Sequence, residues 1–241
     1  ADSTSNNYGT FCYVTDQQSA EVIAHSYQPT CCERPHYKTR FNDAGIEFDA
    51  SGTTFSIHTH IVVSPEDDVE IRRITVTNRS RQTRPFDITS YTEVVLAPAA
   101  SDMAHPAFSN LFVQTEIVNR LEAILAHRRP REEKEVTAWM FHAMAIHGNT
   151  GRQTSFETDR ARFLGRDRTP ADAQALMPGS ELTGQQGAVL DPVLSIRQSV
   201  TLKAGEAVTI DMLYGVTLQR DTTIALIEKY RNHISADRVF E

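Results

Sequence analysis

The sequence is poor in cysteine, with three in 241 residues, and it has a single tryptophan. Three thiols cannot close a disulfide framework, and the adjacent pair Cys31-Cys32 is too close to bond to itself without strain. Cys31-Cys32 with His36 also lacks the C-x2-C or H-x3-H pairing of structural zinc, so free thiols in a reducing compartment are expected and no metal is assigned. Basic charge is in deficit: Lys and Arg total 24 against 31 Asp and Glu, a formal net charge of -7. That balance excludes a non-specific binder of nucleic acid or of anionic membranes. No stretch approaches the roughly 18 apolar residues of a spanning helix, and Ala1-Asp2-Ser3-Thr4 carries no basic-then-apolar targeting pattern. GxGxxG, P-loop, GxSxG, HExxH and EF-hand patterns are absent from the sequence, which removes the commonest nucleotide, hydrolase and metalloprotease readings and leaves no cofactor to assign.

What is present is period-two alternation. Residues 55–63, 69–77 and 86–96 alternate apolar with polar side chains and are separated by Ser64-Pro65-Glu66-Asp67-Asp68 and Asn78-Arg79-Ser80. Further strands are expected at 20–25, 37–41, 45–49, 111–115, 139–146, 155–157, 194–202 and 207–217, with Ala204-Gly205-Glu206 turning the last two into a hairpin. Residues 121–127 have helical propensity but lie among strands, and strand is the preferred reading. The apolar residues of 69–77 change parity at Arg72-Arg73, which predicts a bulge. About ten short strands imply an all-β sandwich or barrel rather than a doubly wound sheet. Residues 165–187 lack alternation and read as a long loop. Asp221-Thr222-Thr223 predicts a helix cap before Ile224, Ile227, Tyr230 and Ile234. Ser235 reads as the cap of a second helix on which the sequence ends, so the natural polypeptide is expected to continue into helices.

Candidate site residues fall in two loops. Residues 97–110 follow a strand and contain Asp102, His105 and Phe108; the segment either presents a site at the sandwich rim or uses Phe108 to plug its end. Residues 157–166 contain Asp159, Arg160, Arg162 and Arg166, whose guanidinium forks suit carboxylates, phosphates or sugar hydroxyls, or an internal salt-bridge network. His58 and His60 share one strand face. Tyr27, Tyr37 and Trp139 are either sugar-stacking platforms or core. Glu66-Asp67-Asp68 reads as a solvated turn before an acid–base pair.

Several of these stretches, in this order, resemble the N-terminal β domain of glycoside hydrolase family 94, formerly glycosyltransferase family 36. They are Val63 to Arg73, Thr89 to Leu96, Ala104 to Glu116, Glu157 to Arg166, Gly187 to Pro192 and Glu228 to Arg231. Within that family the pattern most resembles the phosphorylase-like region of the cyclic β-1,2-glucan synthases. The resemblance implies a large antiparallel super-sandwich of the galactose-mutarotase-like kind over 1–220. Residues 221–241 would then begin a helical linker to an (α/α)6 catalytic barrel that this sequence does not contain. It implies a non-catalytic module, with β-glucan or gluco-oligosaccharide as ligand, the barrel as partner and a possible homodimer. The implied location is the cytoplasmic side of a bacterial inner-membrane parent. A module that captures β-1,2-glucan by itself and a mutarotase-like epimerase are the alternatives. Cys31-Cys32 depart from the small or polar residues expected there.

Overall fold

The computed structural model describes residues 9–32, 36–130, 132, 135–148 and 152–241, so the first four residues, read above for targeting, lie outside the described residues. Among the described residues there are fourteen strands: β1 (Thr10–Asp16), β2 (Val22–Ala24), β3 (Tyr37–Asn42), β4 (Gly45–Ser51), β5 (Phe55–Val63), β6 (Val69–Asn78), β7 (Arg84–Glu93), β8 (Val113–Val118), β9 (Ala123–Arg128), β10 (Trp139–His147), β11 (Arg152–Asp159), β12 (Gly187–Ala188), β13 (Pro192–Leu202) and β14 (Ala207–Thr217). Five short helices join them: α1 (Ala99–Ala104), α2 (Pro106–Asn110), α3 (Arg160–Leu164), α4 (Arg220–Arg231) and α5 (His233–Phe240). A five-stranded sheet runs β11-β13-β7-β1-β2 and a nine-stranded sheet runs β12-β8-β9-β10-β14-β6-β5-β4-β3, with antiparallel pairing throughout. The all-β super-sandwich is the observed fold.

Alternation places the core. Cys12, Val14, Ile88, Leu194 and Ile196 of the small sheet face Ile74, Val76, Met144, Ile210 and Met212 of the large one. Phe55 and Phe86 meet edge-on across the gap, ring centroids 5.3 Å apart, a geometry worth about 1 kcal/mol beyond the area buried. His142 is a polar staple in this layer. Its ring lies parallel to Tyr214 at 4.3 Å, Nε2 accepts from the Ser90 hydroxyl at 2.7 Å, and Nδ1 donates to the Leu213 carbonyl at 3.2 Å.

Both sheets are covered on their outer faces as well. On the large sheet Val69, Ile71, Phe141 and Leu213 pack beneath Ile227 and Tyr230 of α4 and Ala236 of α5. This corrects the bulge expected in β6. Its pairing with β5 and with β14 runs without a shift from Val69 to Asn78. Val69 and Ile71 point outward under helix while Ile74 and Val76 point into the sandwich, so an unbroken strand with two apolar faces shows a change of parity. A register shift does occur in β11, between Glu157 and Asp159.

The hairpin expected through Ala204-Gly205-Glu206 is also corrected. β13 and β14 lie in different sheets, so the turn is an arch from one layer to the other. The link from β6 to β7 crosses at the same end. Buried Asn78 ties both arches, its Nδ2 donating to the carbonyls of Gln82 and Leu202 at 2.8 and 3.0 Å. Leu202 of β13 and Val208 of β14 enter the inter-sheet core from opposite layers.

Residues 165–187 have little regular structure, but they are packed. Ala173, Ala175 and Leu176 are buried against Tyr13, Tyr91 and Phe163 on the outer face of the small sheet. Tyr13 Oη donates to the Pro170 carbonyl at 2.8 Å, Arg197 donates to the Ala175 and Ser180 carbonyls, and buried Glu157 accepts from Thr183 N at 3.1 Å. At the C-terminus α4 starts at Arg220 with Gln219 as its cap, two residues before the earliest cap expected, so Asp221 lies in the first turn; α5 is capped by Asn232, whose side chain accepts from Ile234 N at 3.0 Å, rather than by Ser235. Asparagine caps as well as serine and stands a turn earlier. Among the described residues no helix is long and apolar enough to cross a membrane.

Candidate functional site

One end of the sandwich opens into a cavity of about 800 Å³. Met140 of the large sheet and Thr10 and Thr92 of the small one form its inner wall; Glu93, Arg160 and Asp191 form a charged side. Its outer wall is residues 97–110, which are not the irregular loop expected but the two short helices α1 and α2. Pro98 and Pro106 explain this, since each stands at the start of a helix, where a missing N–H costs nothing. Asp102 of α1 and Asn110 of α2 reach the lining.

Arg160 organises the charged side. Its Nε donates to Tyr91 Oη at 2.8 Å and to Glu93 Oε1 at 3.0 Å, and its Nη1 donates to Asp191 Oδ2 at 3.2 Å. Tyr91 Oη in turn donates to Glu93 Oε1 at 2.6 Å, and Asn110 Nδ2 donates to Asp191 Oδ1 at 3.1 Å. One guanidinium therefore joins β7, the start of α3, the segment before β13 and, through Asp191, the rim helix α2. Burial pushes the Glu93 carboxyl above its ordinary range, against the opposing bonds from Tyr91 and Arg160. Burial and the neighbouring Glu93 also raise the Tyr91 phenol, which stays protonated as a donor.

The structure thus brings together two of the seven residues singled out in the sequence, Asp102 and Arg160. His105 is exposed at the junction of α1 and α2. Phe108 is more than half exposed, its ring edge-on to Phe112 at 5.2 Å, so it does not plug the sandwich. Asp159 caps α3 by accepting from Ala161 N at 2.9 Å and lies 3.7 Å from Arg162. Arg166 is almost wholly exposed beside Asp167. Glu93, Tyr91 and Asp191 were not singled out as site residues: each sits at or beside the end of a strand, and only the Arg160 fork shows that they belong to one site.

The remaining candidates separate. His58 Nδ1 lies 2.7 Å from Asp49 Oδ1, whereas His60 packs on Phe240 at 5.0 Å, so one strand face serves solvent and helix in turn. Trp139 stacks on His127 at 4.3 Å, and Tyr27 and Tyr37 pair at 6.3 Å. In the acidic turn, Asp67 accepts from Lys229 Nζ and Tyr230 Oη, both at 2.7 Å, so this turn docks α4.

A two-sheet antiparallel β super-sandwich is the class this architecture defines. The chain matches the model of the glycosyl hydrolase 94 supersandwich domain over residues 1–233, and it belongs to that family. It is 32% identical over 231 residues to the cyclic beta-(1,2)-glucan synthase NdvB of Rhizobium meliloti (strain 1021), covering 96% of this chain and 8% of that protein. It is 23% identical over 217 residues to the solabiose phosphorylase of Paenibacillus borealis, covering 90% of this chain and 27% of that protein. A bacterial glucoamylase solved with acarbose shares the fold, with a TM-score of 0.54 at 9% identity over 96% of this chain and 30% of that one. The chain therefore spans less than a third of each relative.

Proposed function

We propose that this domain is a non-catalytic platform of a carbohydrate-active enzyme, which supports a helical catalytic barrel and shapes its glucan-binding cleft. The observation that carries the reading is the Arg160 fork, which engages both Glu93 and Asp191. Those carboxylates hold loops together at the cavity and are committed to that task. The apolar character of the same end supports a protein neighbour. Met103 and Leu190 are 84% and 78% exposed, and Val95, Phe108 and Leu111 beside them are exposed too. Apolar side chains grouped in this way around one opening mark contact surfaces. Asp102 and His105 then serve as hydrogen-bonding groups toward sugar hydroxyls at the seam, with Arg160 as the positioning residue behind them. Residues 221–241 form the beginning of the linker.

The test uses the full-length polypeptide carrying Met103→Asp with Leu190→Asp. Platform function predicts earlier proteolytic release of this domain and weakened glucan turnover, with the isolated 241 residues melting unchanged. Unaltered proteolysis and turnover in the full-length variant would refute it. The second reading, independent capture of β-1,2-glucan, predicts binding of linear β-1,2-gluco-oligosaccharides at about 4–8 kcal/mol, millimolar to micromolar. Calorimetry on the isolated domain separates the two, because a platform alone yields no heat.

A further inference from the structure

A row of charge crosses the outer face of the large sheet. Register sets Arg40 of β3 opposite Glu47 of β4, Glu47 opposite His60 of β5, His60 opposite Arg73 of β6, and Arg73 opposite Asp211 of β14. The charged members are paired off. Arg40 Nε donates to Glu47 Oε2 at 3.0 Å, and Arg73 binds Asp211 and, through Nη1, Asp237 of α5 at 2.7 Å. His60 stands between two satisfied pairs and belongs to neither. It packs under α5 instead, its ring 5.0 Å from that of Phe240, and the same Phe240 ring holds the Arg73 guanidinium at 4.3 Å. His60 Nε2 is buried without a hydrogen-bond partner among the described residues, where most buried polar atoms have one. Gly45 makes room for it, since a Cβ there would stand 3.1 Å from Nε2.

This seat suits a neutral imidazole and opposes a charged one. Protonation sets a cation directly opposite Arg73, and like charges facing each other across two strands destabilise the pair. It also brings a second cation to the Phe240 ring, whose attraction for each does not remove the repulsion between them. It leaves a buried N–H without an acceptor. Burial accordingly holds the His60 imidazole below its ordinary range; Glu47 opposes this, and His58 and Arg73 reinforce it. Within the row, the acceptor open to a charged ring is Glu47, on the side away from Arg73. The other charged groups around α5 have places of their own. His58 lies 2.7 Å from Asp49, His147 bonds Asp211 at 2.8 Å and meets the His233 ring at 6.1 Å, and Lys38, Arg238 and Glu241 are exposed.

We propose that His60 is an acid trigger for the seat of α5: on protonation its ring turns from Phe240 to Glu47, and the last turn of the helix lifts from the sheet. One proton is taken from solvent and no covalent bond of the chain changes. The sign follows from the direction of the shift. The seated state binds the proton less well than the lifted one, so the seat is intact above the ordinary histidine value and weakens as pH falls below it. The trigger does not depend on the platform reading. Its consequence does: on that reading α5 belongs to the linker, and mild acid slackens the join.

The test is hydrogen exchange of the 241-residue chain, read by mass spectrometry from neutral to mildly acid pH and corrected for the intrinsic pH dependence of exchange. Protection of residues 233–241 should fall as pH drops below about 6.5, by up to about tenfold per pH unit, the linkage of one proton. His60→Gln should make that protection level with pH, while the core strands β10 and β14 keep the dependence that the buried His25 and His142 give them. His147→Gln should keep the fall at 233–241, and thermal melts confirm that each variant is folded. By nuclear magnetic resonance the His60 ring should titrate below the ordinary histidine value, lower still in Glu47→Gln, and lose its contacts to Phe240 as it does so. Level protection at 233–241 in the parent chain would overturn the proposal. So would a fall that survives His60→Gln, or a His60 ring that titrates with its Phe240 contacts intact. None of these readings involves the cavity, so the trigger and the platform fail separately.

Discussion

Arg73 grips Asp211 through two parallel hydrogen bonds, Nε to Oδ1 at 2.7 Å and Nη2 to Oδ2 at 2.8 Å. The remaining nitrogen, Nη1, reaches Asp237 of α5 at 2.7 Å, and the guanidinium lies under the Phe240 ring at 4.3 Å. His147 Nε2 meets the far oxygen of Asp211 at 2.8 Å. A single cation thus joins β6, β14 and the last helix.

Replacing that cation isolates a carboxylate. Asp211 is fully buried, and although burial alone would raise its carboxyl, the bonds from Arg73 and His147 hold it below the ordinary range. Arg73→Met should cost about 3 kcal/mol in urea unfolding, the usual penalty for breaking a buried pair by removing one partner. Adding Asp211→Leu to that variant should recover much of the loss, which a role confined to side-chain packing would not produce.

The buried histidines predict an acid-sensitive fold. His142 and His25 are fully buried, and burial pulls each from near 6.5 down to about 3. Between those values the unfolded chain binds protons that the folded chain does not, so stability must fall as pH drops from about 6.5 toward 3 and stay level above it. Each group contributes a slope of up to about 1.4 kcal/mol per pH unit. Denaturant unfolding of His142→Gln across this range should show roughly half the slope that these two residues impose. An unchanged slope would mean that His142 is protonated inside the sandwich.

At the cavity, Arg160→Met removes the group that offsets the burial of Glu93. The Glu93 carboxyl, already raised by burial, should rise further, and the domain should lose about 2–3 kcal/mol. The change should be local as well. Proteolysis and hydrogen exchange should increase first in residues 99–110 and 187–191, which the Arg160–Asp191–Asn110 chain now fastens. Arg160→Lys keeps the charge but not the fork, and it should fall between the two.

Much of the fold was legible because most strands alternate. Val69 to Asn78 and Ala207 to Thr217 were found by that signal, and 121–127, read as strand against its helical propensity, is strand from Ala123 onward, with Leu121 closing a 3-10 turn before it. β1 escaped because it is buried on both faces: Phe11, Cys12, Tyr13 and Val14 show no alternation to detect. Layer assignment was not legible either. A short polar turn such as Ala204-Gly205-Glu206 serves a hairpin or an arch equally, and contacts remote in sequence, such as Asn78 with Leu202, decide between them. The site was half legible. Asp102 and Arg160 could be named as chemistry-bearing loop residues, but Glu93 and Asp191 join the candidate site only by lying within reach of Arg160.

The central claim is that these 241 residues form a platform without turnover of their own. The direct measurement is glucose 1-phosphate release from linear β-1,2-gluco-oligosaccharides by the isolated chain in phosphate buffer, alongside the full-length polypeptide. The account predicts no release above the buffer blank from the isolated chain and clear release when the rest of the polypeptide is attached. Sustained phosphate-dependent release by the isolated chain, abolished by Asp102→Asn, would contradict it.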